Sequence, residues 1–342
     1  MRSFRLPVSL RPSPRPYGWG SWRNLRNSSH SGLFVLLSAM LVTFLLLIGP
    51  RFLAVDNVTS MAVQLPELGV LSLAMMVSML HGGVNLSIIS TANISAITVA
   101  YVLTNIAPAA GAGLGWQIIA IAAGLSVAVL IGVLNGIVIA YFKVSPILAT
   151  LGTMIMVKGL AVGLTRGTVI SGFPDSVQFI GSGFVFGVPF GIIVFAGCCA
   201  VVSVLLNRTA FGATIYLMGS NEEATRFSGV DTRLVLVKIY VTSSVLAAIA
   251  GIIMMARFNS ANASYGEAYL LATILVTVLG GVDPYGGFGK VGGVVLSLIV
   301  LQVVSSAFNQ LGFSQFLTLA IWGVILIVIS AMSMLRGPTG GR

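Results

Sequence analysis

The chain has 342 residues, of which 57% are hydrophobic and 8% charged, with a mean hydropathy of +1.03. A soluble domain carries roughly 25% charged residues, so this chain cannot cover its own surface with polar groups, and its solvent must largely be lipid. The net charge of +10 does not indicate nucleic acid, because no interleaving of basic and aromatic residues suggests base stacking. It reads as topological, since Lys and Arg collect on the cytoplasmic side of membrane proteins.

Residues 1–31 are rich in Arg, Pro and Ser and hold six of the 18 basic residues, as expected of a cytoplasmic tail. No small-residue cleavage site clearly follows the first apolar run near Gly32, so a cleaved signal peptide is not expected. Apolar segments then fall near 32–49, 61–80, 84–105, 116–141, 146–164, 187–206, 236–257, 267–281, 291–310 and 313–335. A crossing helix needs about 20 residues. The expected fold is therefore all-α, a polytopic membrane helix bundle of about ten transmembrane helices over 32–335. The 84–105 segment is unusually polar and 267–281 is short. Pro66 is expected to start its helix proper.

With the N-terminus inside, fourteen basic residues fall inside (the last being Arg342) and three outside: Arg51, Arg166 and Arg257. This bias supports cytoplasmic termini. It places loop 207–235 and the tail 336–342 in the cytoplasm. Cys198 and Cys199 are adjacent in an apolar stretch and read as small packing residues, with no metal or disulfide framework.

The loop contains "MGSNEEATRFSGV" (218–230), with two of the chain's eight acidic residues. Ser220 followed by Glu223 fits a capping box. Glu222 and Glu223 suit the positive end of the helix dipole and Arg226 the negative end. Gly229 supplies a left-handed stop. The expected helix is about eight residues, roughly 12 Å long, and marginal alone in water. Either its own membrane domain or a partner must hold it. A capped turn that merely links two crossings has the same pattern.

"HGGVNLSIISTANIS" (81–95) breaks the apolar pattern with glycines and offers Asn85, Ser87, Ser90, Thr91, Asn93 and Ser95. Polar groups at membrane depth belong in protein interiors or on water-lined paths. Neutral hydroxyls and amides can exchange hydrogen bonds with a polyhydroxylated solute, and they can equally bond helix to helix. His81 reads as a polar cap beside a Gly-Gly turn. Lys158 is expected to snorkel outward, with a pathway-facing role as the alternative. "GGFGK" (286–290) is a glycine turn: a phosphate loop needs Gly where Pro284 stands and Ser or Thr where Val291 stands.

The run 209–261 resembles the membrane permease subunits of bacterial ABC-type importers for ribose and related monosaccharides. The family pattern matches at Gly219, Asn221, Ala224, Ser228, Gly229 and Val230, with Ser220 and Thr225 as departures. "ILATLGTMIMVKGLAVGLTRGTVI" (147–170), "TVLGGVDPYGGFGKVGG" (277–293) and "GGVNLSI" (82–88) resemble further family motifs, in the same order. Asn85 replaces the family's usual Asp, and Leu270 and Ala272 replace usual acidic residues. The solute of the ribose members is therefore not carried over.

The resemblance implies an ABC importer permease fold and a transport subunit rather than an enzyme. It implies that Gly219, Asn221, Glu222, Glu223, Ala224, Arg226, Ser228 and Gly229 form a coupling helix docked on an ATP-binding subunit. It implies a second permease subunit, identical or related, and a periplasmic solute-binding protein, for which Arg51, Asp56, Arg166, Asp175, Arg257 and Glu267 are candidate docking charges. No cofactor is expected on this chain, because ATP and Mg would be used by the partner. The expected location is the bacterial inner membrane. Candidate pathway residues are Asn85, Ser87, Thr91, Asn93 and Lys158. The alternative is an ion-coupled secondary transporter, which would need intramembrane carboxylates or a broken-helix ion site. The most buried spans are read as lacking Asp and Glu, which argues against proton coupling.

Overall fold

A computed structural model describes residues 21–108, 113–314, 316–324 and 327. The expectations for 1–20 and 336–342, and about half of that for 313–335, lie outside the described residues. Twelve α-helices occur among the described residues: α1 (Ser21–Ile48), α2 (Val55–Met79), α3 (Ile88–Tyr101), α4 (Leu114–Ala140), α5 (Pro146–Thr165), α6 (Asp175–Ser182), α7 (Phe190–Arg208), α8 (Ala210–Ser220), α9 (Glu222–Phe227), α10 (Thr232–Phe258), α11 (Tyr269–Leu279) and α12 (Val291–Gln310). A further helical stretch covers 316–324. The all-α membrane bundle is as expected.

Seven helices among the described residues are long and apolar enough to cross a membrane: α2, α3 with its π-turn to Ile106, α4, α5, α7, α10 and α12. The apolar part of α1, Gly32–Ile48, is shorter. The segment expected at 267–281 forms only the 11-residue α11, about 16 Å long and too short to cross unaided. α1 starts at Ser21, inside the stretch read as tail, because residues 21–31 contain neither Pro nor Gly. Pro66 does not start α2 but lies inside it. A missing helix N–H is tolerated in a bundle where neighbours close around the break, and Gly191 of α7 packs there, with room for only a tight Cβ contact at 3.2 Å from the proline ring.

Burial separates an inner set from an outer ring. α2, α3, α10 and α12 are about two-thirds to three-quarters buried, whereas α4, α5 and α7 are 28% buried. The inner helices close on α2 and α10 through Leu71, Met75, Ile88, Ala247 and Ile253. Close approach is set by glycine. A Cβ on Gly251 of α10 would strike the Ala92 carbonyl of α3, and one on Gly132 of α4 would sit 2.6 Å from Val241 Cα. Small residues at such crossings let backbones meet.

Two small antiparallel ribbons sit at one end of the bundle. β1 (Ile170–Ser171) pairs with β4 (Ser260–Ala261), and β2 (Phe184–Val185) pairs with β3 (Val188–Pro189). The β1–β4 ribbon joins the far end of α5 to that of α10. α8 and α9 lie at the opposite end.

Candidate functional site

At that opposite end α9 is a six-residue helix, about 9 Å long. Its N-cap is Asn221, not Ser220. The Asn221 side chain accepts from Ala224 N at 2.9 Å. Ser220 is the last residue of α8, and its hydroxyl donates to Tyr216 O at 3.0 Å. The expected capping box is thus replaced by a simple Asn cap one residue on. Glu222 and Glu223 stand in the first turn and Arg226 in the last. Ser228 N donates to Ala224 O, and Gly229 takes a left-handed φ of +85°, as expected.

Thr225 is buried and donates to Asn221 O at 2.8 Å, while Asn221, Glu222, Glu223, Ala224, Arg226 and Ser228 are exposed and Phe227 is 82% exposed. The end of α8 that leads into α9 is seated backbone on backbone. Gly287 N donates to Leu80 O at 2.8 Å, and Gly219 passes so close that a Cβ would strike both atoms. The expected glycine turn at 286–290 therefore ties the end of α2 to the end of α8.

Beside α9 is a cavity of about 510 Å³ lined by His81, Lys143, Glu222, Glu223, Arg226 and Arg233, among others. His81 lies in its wall with a ring nitrogen 3.2 Å from Tyr240 Oη. Burial pushes its imidazole down to about 4.

From His81 the chain turns inward. Asn85 donates to Ser243 Oγ at 3.0 Å, which donates to Ala74 O. The Asn85 carbonyl accepts from Ser87 N and Ser87 Oγ, and Asn135 Nδ2 donates to Ser87 Oγ at 2.9 Å. Leu86 N donates to Thr150 Oγ1 at 3.1 Å. The turn thus ties α2, α4, α5 and α10 together. Asn85, Ser87 and Thr91 are fully buried, and the Thr91 hydroxyl has no partner among the described residues. Asn135 and Ser243 were not singled out in the sequence, where a lone Asn or Ser in an apolar helix is an ambiguous signal.

Asn93 and Lys158 come together elsewhere. Both line a cavity of about 180 Å³ with Ser90 and Glu267. Asn93 donates to Ala263 O and Tyr265 O at 2.9 Å, while its carbonyl oxygen is buried without a partner among the described residues. Lys158 does not snorkel free: its ammonium lies 2.8 Å from Glu267 Oε1, with the two side chains 44% and 54% exposed. The Lys158 hydrogen bond holds the Glu267 carboxyl below the usual carboxylate range.

Two of the expected docking charges are therefore engaged, Glu267 with Lys158 and Arg257 with Glu67. Arg257 Nη2 donates to Glu67 Oε2 at 2.9 Å, Nε meets Oε1, and Glu67 is fully buried. The expectation that the most buried spans lack carboxylates is corrected here, because α2 carries Glu67 inside the bundle. Arg51, Asp56, Arg166 and Asp175 remain exposed. Among the described residues no group of three or more His, Cys, Asp or Glu could hold a metal.

The model of the family "Branched-chain amino acid transport system / permease component" matches residues 57–330. The ribose import permease protein of Bacillus subtilis (strain 168) is 31% identical over 300 residues, covering 87% of this chain and 89% of that one. The L-arabinose transport system permease protein of Escherichia coli (strain K12) is 32% identical over 296 residues, covering 86% and 88%. The autoinducer 2 import system permease protein of Photorhabdus temperata is 28% identical over 301 residues, covering 85% and 88%. No solved structure matches. With the match extending from α2 through α12, the chain belongs to the branched-chain amino acid transport system permease component family.

Proposed function

We propose that the chain is the membrane-spanning permease subunit of an ATP-driven importer for a sugar, polyol or similar small polar solute. The observation that carries this is α9, a capped and charged helix held out on one end of an apolar bundle. α8, which leads directly into α9, is seated on the Leu80–Gly287 seam, and the chain runs on from Leu80 to the Asn85 turn. A push on α9 therefore has a rigid route to α2, α4 and α10.

In this reading a separate subunit binds ATP and Mg and docks on Gly219–Gly229. A second permease subunit completes the pathway. A solute-binding protein delivers at the opposite end, where Arg51, Asp56, Arg166 and Asp175 are exposed. The α9 end is cytoplasmic, with both termini on that side of the bacterial inner membrane. Asn93 and Lys158 contribute to the solute path at their shared cavity. Ribose and arabinose in the names of the relatives support a monosaccharide. The buried Glu67 does not favour ion coupling, because Arg257 already balances its charge.

The test is uptake by the reconstituted complex carrying Glu222→Ala, Glu223→Ala and Arg226→Ala together. The permease should reach the membrane folded, with ATP-dependent uptake lost. Normal uptake by this triple variant, or uptake that ignores ATP and collapses with an ionophore, overturns the reading.

A further inference from the structure

At the end of the bundle opposite α9, two cavities of about 480 and 240 Å³ lie side by side between α2 and α12. They share Gln64, Gln302, Ser305 and Asn309. The larger also reaches Trp322 in the helical stretch 316–324, and its volume falls in the range of roughly 300–1,000 Å³ typical of small-molecule sites. Neither has a charged residue in its lining.

Two largely buried side chains, Gln302 and Trp322, line this space. Gln302 is 7% exposed and lines both cavities. Trp322 is 9% exposed, and its buried indole N–H has no partner among the described residues. Leaving a buried donor unsatisfied costs about 1–3 kcal/mol, so the unpartnered Trp322 N–H, in a cavity wall it shares with the amides of Gln64, Gln302 and Asn309, points to a ligand that completes it. The lining supplies amides that both donate and accept, hydroxyls that do the same, and a donor-only indole. Aromatic faces stand beside them at Tyr269, Phe313 and Phe316. Such a mixture fits a neutral solute with several hydroxyls on an otherwise C–H surface.

We infer that this space is a binding site for a neutral polyhydroxylated solute such as a monosaccharide, with Gln302, Asn309 and Trp322 as its hydrogen-bonding residues. The inference rests on the importer reading, which makes this end face outward. The site is separate from the Asn93–Lys158 cavity. Glu267 and Leu270 line that cavity, while Ala268 and Tyr269 line this one, so the start of α11 stands between two stations on opposite sides.

The experiment uses the complete complex in proteoliposomes, supplied with D-ribose, L-arabinose, D-glucose or glycerol. Trp322→Phe keeps a ring and removes the N–H, and Gln302→Leu removes the amide at similar volume. Each should lower uptake at solute concentrations well below half-saturation by about 3- to 10-fold, the worth of one hydrogen bond. Asn309→Cys in a Cys198→Ser, Cys199→Ser background should react with a membrane-impermeant maleimide, and the transported solute should slow that reaction several-fold.

Unchanged uptake in both variants overturns the site. So does a cysteine that never reacts, as when lipid or a second copy seals the groove, or one that none of these solutes protects. The unsubstituted complex and the α9 triple variant are measured alongside. If ATP dependence and coupling behave as proposed while the groove variants are silent, only this site fails. If ATP dependence is absent, the importer reading itself fails.

Discussion

Glu67, midway along α2, and Arg257, at the end of α10, meet through two parallel contacts, Nε to Oε1 and Nη2 to Oε2, with Tyr269 of α11 adding its hydroxyl at 3.4 Å. The pair joins three helices inside the bundle. Removing one partner leaves the other charge buried and unbalanced, which costs about 3–5 kcal/mol, whereas replacing both by neutral groups is often nearly neutral. Glu67→Gln or Arg257→Gln alone should therefore lower the unfolding temperature of the detergent-solubilised protein markedly. The double variant should recover much of the loss. A loss in the double variant equal to the sum of the two single losses would show that the charges do not depend on each other.

The shift of the α9 cap from Ser220 to Asn221 separates two residues that read alike in sequence. The Asn221 side chain satisfies Ala224 N, while the Ser220 hydroxyl satisfies only a carbonyl within α8. Asn221→Ala should cost the short helix about 1 kcal/mol, enough to fray six residues that are marginal alone. Ser220→Ala should leave α9 intact. Proteolysis within 221–229, measured on the assembled membrane protein, should accelerate for the first variant and not for the second. The reverse order would restore Ser220 as the cap.

The features legible in the sequence were those where polar residues cluster along the chain. Asn221 to Gly229 stood out because charges are scarce, and Asn85 to Asn93 because glycines and amides break an apolar run. Lys158 was visible but its partner Glu267 was not, since more than a hundred residues separate them. Glu67, Gln302 and Trp322 gave no local signal. A single polar side chain on an apolar helix has the same pattern whether it meets lipid, a neighbour or a cavity, and only the tertiary arrangement brings Arg257 to Glu67 across 190 residues. The length of α11 was misread for a related reason: hydropathy continues through 267–281, while the chain before Tyr269 is held in a loop by the Asn93 amide.

His81 should make the protein acid-sensitive. Burial lowers its imidazole from an ordinary 6.5 to about 4, so the folded chain holds it neutral while the unfolded chain takes up a proton below 6.5. Stability is thus complete above that pH and falls as pH drops from 6.5 towards 4. The full loss is about 3 kcal/mol at 1.36 kcal/mol per unit. The unfolding temperature should fall between pH 7.5 and pH 5, and His81→Asn should reduce that fall. Glu222, Glu223, Lys143, Arg226 and Arg233 share the cavity wall, and their contribution is common to both proteins. An identical fall in the two would remove His81 as the cause.

Glycine at position 251 is required by contact rather than by backbone angle. A Cβ there would strike the Ala92 carbonyl oxygen and the backbone behind it, and neither helix can yield without opening the α3–α10 crossing. Gly152 on α5 has nothing within 4 Å of the same hypothetical atom. Gly251→Val should destabilise by at least the 1–3 kcal/mol typical of overpacking. It should also loosen the Asn85–Ser243 bond, which ties the turn leading into α3 to α10. Gly152→Val should change the stability of the single chain by no more than about 0.5 kcal/mol. Thermal unfolding of the two variants in detergent decides between contact and composition: equal losses would mean that any added side chain disturbs these helices, and a loss confined to Gly251→Val would assign the requirement to the meeting of α10 with Ala92.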